Sequence, residues 1–219
     1  MTDARVHRAV AEQTLSDMKI TTNLDTRTHE PHPSGRAAAV GHHLLARWPS
    51  VLGLLALAGN ISDPDPHLTA MIIILASTCY LGAAAVGSRR SSWVMVVVVS
   101  IAVVLARLTG LDVTATPLVM GVGFAVYGLL RHTGSARREV GLQSAGFVGF
   151  AAIALTAMLS GPALAVYLAA AAALGHTVWD VIHRVRDKVV SRSLTEACFV
   201  LDLGLGVALL VTAWAMQPL

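Results

Sequence analysis

The feature that most constrains this chain is a succession of apolar runs, each close to twenty residues long, separated by short breaks rich in Gly, Pro, Asp and Arg. A bilayer's hydrocarbon core is about 30 Å thick, and about 20 helical residues cross it. Runs near 38–60, 67–87, 92–110, 113–131, 142–160, 162–184 and 194–214 fit that length. The sequence therefore predicts an all-α polytopic membrane bundle of about seven transmembrane helices. The first run is the least regular, because His42, His43 and Arg47 occupy its opening turns and Pro49 kinks or restarts the helix just after Trp48. If that run lies at the interface, six spans remain. Only 13% of the residues are charged, against roughly a quarter in soluble domains, which excludes an ordinary cytosolic globule. The two cysteines, Cys79 and Cys198, each sit inside an apolar run, so no disulfide framework is implied.

Residues 1–36 are polar and mixed in charge, with no apolar core of a signal peptide. They are expected to form a partly disordered cytoplasmic segment ahead of a transmembrane domain over 37–219, with a short helix across 4–18 and extended chain around Pro31 and Pro33. Orientation follows from the links. Those containing Arg89 and Arg90, then Arg131, Arg137 and Arg138, then Arg184, Arg186, Lys188 and Arg192 are basic, whereas the alternate links around Asp63, Asp112 and Gly161 are nearly free of Lys and Arg. Basic links stay on the cytoplasmic side. That places the N-terminus in the cytoplasm, the C-terminus outside, and the protein in the cell membrane as a multi-pass chain. The pI near 9.2 then reflects topology, and no nucleic-acid partner is expected.

Punctuation marks the helix starts. Asp65-Pro66 and Gly161-Pro162 put proline where its missing N–H is harmless. Ser193 followed by Glu196 has the capping-box spacing and should open the seventh helix. Small residues, Ala169 to Ala173 with Gly175 and then Gly121, Gly123 and Gly128, predict close helix approach.

The stretch from His176 to His183 carries the chemistry. His176, Asp180 and His183 stand at i, i+4 and i+7 and share one helix face. His176 lies roughly 12 Å in from the cytoplasmic end of its span, Asp180 roughly 6 Å, and Asp202 about 13 Å into the next helix. A short connection makes the two helices neighbours, so Asp202 should sit level with His176. Ionisable groups at such depth cost several kcal/mol unless paired, hydrated or neutral, and they usually mark function. The alternative for Asp202 is a hydrogen-bonded carboxyl that pins two helices. For Asp180 it is an ion pair with Arg184 at i+4, and for His183 a solvated group at the helix C-terminus. Glu196 is explained by its cap. His42, His43 and His132 belong on the same side as the cluster, and His67 on the opposite one.

The leading expectation is a membrane-embedded enzyme. His176, Asp180, His183 and Asp202 would hold zinc or iron, or Asp202, Asp180 and His176 would act as acid and base, on a lipid- or isoprenoid-like amphiphile drawn from membrane lipid. A proton- or metal-coupled transporter and a non-catalytic scaffold are the alternatives. A retinal protein is excluded, since its Schiff base needs an intramembrane lysine and the only lysines are Lys19 and Lys188. No phosphate-binding loop or serine nucleophile elbow is present.

Overall fold

The structure, a computed structural model, describes residues 47–215, and among these it is entirely helical. The helices are α1 (Trp48–Ala58), α2 (Pro66–Val86), α3 (Ser92–Thr109, preceded by a 3-10 turn at Arg89–Ser91), α4 (Ala115–Arg131), α5 (Gly134–Leu159), α6 (Pro162–Arg186) and α7 (Arg192–Ala215). Five of them, α2, α3 with its preceding turn, α5, α6 and α7, are long and apolar enough to cross a membrane. The outer surface agrees, with Leu108, Leu130, Leu159 and Val185 all exposed. Aliphatic surface on this scale is stable against lipid rather than water.

The first run departs from the expectation of a full span. Its described helix is the 11 residues of α1, about 16 Å at the α-helical rise. Pro49 opens it and Gly59 closes it, because proline fits only the first turn. Residues 38–46, with His42 and His43, lie outside the described residues, as does the polar N-terminal segment.

Local chemistry sets most boundaries as expected. The Asp65 carboxylate accepts the His67 backbone N–H at 2.7 Å ahead of α2, and Pro162 occupies the start of α6. The capping box predicted for α7 does not form. Ser191 caps that helix instead, its hydroxyl accepting the Leu194 N–H at 3.3 Å. Glu196 is drawn away by Arg184 at 3.0 Å, Arg47 at 3.4 Å and the Ser50 hydroxyl, since charge-assisted bonds outcompete a neutral cap.

The bundle is built around α2, which packs against α3, α4, α5, α6 and α7 and is buried along most of its length. The α6–α7 pair makes the broadest contact, and α1 leans on α7. Small residues allow the close approach. Ala169, Ala170, Ala172 and Ala173 are fully buried, and a Cβ on Gly53 would lie 2.5 Å from the Ala197 carbonyl oxygen. Gly123, by contrast, faces open space. The three basic links meet at one end of the bundle. There Arg89 pairs with Asp187 at 2.6 Å, Arg192 reaches the same carboxylate at 3.4 Å, and Arg186 makes a two-pronged contact with Glu139 at 2.6 and 2.8 Å.

Gly53→Ala is expected to lower stability by about 1–3 kcal/mol, because the obstacle is backbone and α1 must lift from α7. Gly123→Ala should be neutral, or more stable by up to about 1 kcal/mol. Thermal unfolding of both variants in detergent micelles checks the pair.

Candidate functional site

Asp202 and His176 stand at matching heights on adjoining helices. From the basic end, His176 lies about 15 Å along α6 from Arg186, and Asp202 about 15 Å along α7 from Arg192. Both helices run a little farther than the sequence suggested, so the depths increase while the level match stays. His176 Nδ1 and Asp202 Oδ2 meet at 2.8 Å, and Asp180 Oδ1 is 3.6 Å from the same nitrogen. Asp180 and Tyr80 of α2 are both about 9 Å from that end, and the Tyr80 hydroxyl donates to Asp180 Oδ1 at 2.5 Å. Two hydrogen-bonded pairs, Tyr80 with Asp180 and His176 with Asp202, therefore lie side by side, with Asp180 and His176 3.6 Å apart where they meet. Rings of Tyr80 and Phe150 pack edge-on to the His176 imidazole, with centroids 5.3 and 5.0 Å away, and fix its plane.

His176 and Asp180 are completely buried and Asp202 is 1% exposed. Among the described residues, His176, Asp180, His183 and Asp202 are all of the buried imidazoles and carboxyls. Among the described residues, the buried side-chain polar atoms without a hydrogen-bond partner are His176 Nε2, Asp180 Oδ2 and Asp202 Oδ1. A buried polar atom left unpaired costs about 1–3 kcal/mol, so three in one place mark a site built for something besides its own side chains. The same trio offers one donor atom from each residue, all within 4.8 Å of one another.

His183 faces the other way along the same buried strip. Its Nδ1–H donates to the Trp179 carbonyl at 2.8 Å, and Gln143 of α5 donates to its Nε2 at 2.6 Å. Both ring nitrogens are thereby occupied and the imidazole is held as the neutral Nδ1–H tautomer. It is not the solvated cap that its place beside Arg184 suggested. Nor does Asp180 pair with Arg184, which reaches Glu196 and the Arg192 carbonyl instead. His132 donates to the Ala85 carbonyl at 2.9 Å, away from the trio. Trp179 is packing, seated against Gly146 and the His183 ring.

A cavity of about 230 Å³ adjoins the trio between α1, α2, α3 and α7. Its lining is almost wholly apolar, with Asp202 and Tyr80 in the wall. Cys79 and Cys198 line it too, as small hydrophobes without a disulfide. Tyr80, Gln143 and Phe150 were not picked out from the sequence. The one available signal was a tyrosine at mid-depth in an otherwise uncharged second span. No family model, curated protein or solved structure matches this chain.

Tyr80→Phe removes the donor to Asp180 and should cost about 1–3 kcal/mol. Tyr127→Phe, at a half-exposed ring, should change stability by less than about 0.5 kcal/mol. Parallel thermal melts distinguish a paired buried hydroxyl from a generic tyrosine effect.

Proposed function

We propose that the chain is a membrane-embedded, metal-dependent enzyme in which His176, Asp180 and Asp202 hold one divalent ion of the zinc or iron class and act on a small amphiphile. The observation that carries this reading is the concentration of partnerless buried atoms in those three residues, beside an apolar cavity that shares Asp202 with them.

Charge and distance both favour an ion. Two carboxyls and one imidazole out of water can offset at most one negative charge among themselves, whereas a divalent cation balances two carboxylates and leaves the imidazole neutral. With metal–ligand bonds near 2.1 Å, two ligands at a tetrahedral angle stand about 3.4 Å apart. One donor atom from each of His176, Asp180 and Asp202 lies within 4.8 Å of the others, so a modest side-chain turn brings three ligands to that spacing. The Tyr80 hydroxyl supplies the kind of outer hydrogen bond that orients a ligating carboxylate. Three protein ligands leave a position for water or substrate, as catalytic sites do. A bound ion there supplies an activated water or a Lewis acid. His183, with both nitrogens occupied, has the role of keeping α5 and α6 in register beside the site.

The hydrogen bonds from Tyr80 to Asp180 and between His176 and Asp202, with Asp180 and His176 3.6 Å apart between them, favour a second reading, acid and base chemistry by the same residues without metal. Transport has less support. Among the described residues no buried imidazole or carboxyl lies toward the opposite end of the bundle, where a proton path would need to continue.

Elemental analysis of detergent-purified protein tests the reading. Wild type should carry about one zinc or iron per chain, and His176→Ala and Asp202→Asn should each lose it while remaining folded. Absence of metal from wild type reconstituted with both ions sinks the metal site and leaves the acid–base reading.

A further inference from the structure

The cavity beside Asp202 has a size, a lining and an opening that together narrow what occupies it. At about 230 Å³ it exceeds the cavity of about 150 Å³ known to hold benzene, and at that filling it takes about nine non-hydrogen atoms. Leu52, Ala56, Ile72, Leu75, Val96 and Leu201 make the apolar wall. No Lys or Arg lines it. Asp202, whose Oδ1 has no hydrogen-bond partner, belongs to the wall.

Such a lining selects a head group by charge. An anionic head meets Asp202 in the wall with no Lys or Arg to offset it. If a divalent ion already balances the two carboxylates, an added anion again leaves an uncompensated charge in low dielectric, at a cost of several kcal/mol. A cationic head is disfavoured by the same balance once the ion is bound. A hydroxyl or carbonyl carries no charge and can hydrogen-bond or ligate.

The opening selects the route. Leu52 and Ala56 of α1 line the cavity and are also exposed, so the wall beside α1 is one side chain thick. α1 packs on α7, and α3 packs on α2 and α4. Near the basic end the Trp48 and Trp93 rings bridge from α1 to α3, 5.2 Å apart, and Trp93 is fixed by its N–H donating to Ser193 at 3.0 Å. The cavity thus lies beside a tryptophan pair, lined by α1 and by α2, α3 and α7, helices long and apolar enough to cross a membrane.

We propose that this cavity receives the chain of a neutral, single-chain amphiphile of about nine non-hydrogen atoms, which slides in from the bilayer between α1 and α3 and presents a hydroxyl or carbonyl head to Asp202. This names the substrate class of the site and rests on the reading of that site as a reaction centre. Binding of the chain itself does not need the metal.

The test is photolabelling with octanol bearing a diazirine on its chain, alongside octyl phosphate bearing the same group, on purified wild-type protein and variants. Labelled residues are located by peptide mass spectrometry. Octanol should label cavity residues of α1, α2 and α7, compete with unlabelled octanol, and exceed octyl phosphate at least tenfold there. Ala56→Trp should reduce cavity labelling at least tenfold, while Ala58→Trp, exposed on the same helix but outside the cavity lining, should not. His176→Ala should keep the label even where it loses metal, which separates failure of this proposal from failure of the metal reading. Equal labelling in Ala56→Trp, label spread over the outer faces of the helices, or octyl phosphate labelling as strongly as octanol would overturn it.

Discussion

The fold is organised around one constraint, an imidazole and two carboxyls removed from water and only partly satisfied by one another. His176 meets Asp202 across α6 and α7 at 2.8 Å, and an apolar residue in place of one partner alone leaves the other buried and unpaired. The pairing demands that two helices stand in register and close together. The short link from Asp187 to Ser191 and the run of buried alanines on α6 provide both. Tyr80 then ties the same group to α2, so the polar site is anchored on the helix that touches nearly every other.

Around that centre, polar and apolar packing divide the work by depth. Ion pairs between Arg89, Arg186, Arg192, Asp187 and Glu139 clamp the links at the basic end, where water and headgroups tolerate charge. Such partly exposed pairs individually contribute little, but they fix the ends of α2, α5, α6 and α7 relative to one another. Deeper in, contact relies on missing side-chain volume at Gly53, Gly128 and the α6 alanines, because in lipid dispersion and close fit replace the hydrophobic drive. The site lies where these regimes meet.

Most helices were legible in the sequence because the length of an apolar run is a one-dimensional signal. So was the meeting of His176, Asp180 and Asp202, since spacing gave the shared face and link length gave the level. What stayed hidden depended on partners distant along the chain. Tyr80 reaches a carboxylate 100 residues away, and Gln143 claims His183 across 40. Glu196 follows a local capping rule in sequence, yet two guanidinium groups on other segments outbid the cap. The first apolar run, irregular in sequence because of His42, His43, Arg47 and Pro49, is described only from Arg47, where Pro49 and Gly59 bound a helix of eleven residues.

That short helix leaves part of one flank of α7 to non-helical chain. α1 covers about 16 Å while its partner α7 extends about 36 Å, and the non-helical residues 59–65 descend along the lower part of α7, with Ile61, Ser62 and Pro64 beside Val207 and Thr212. Backbone outside a helix needs water or polar partners, and Ser62 and Asp63 are exposed there. This flank of α7 is therefore faced by polar, non-helical chain, while α1, α2 and α6 pack against it elsewhere.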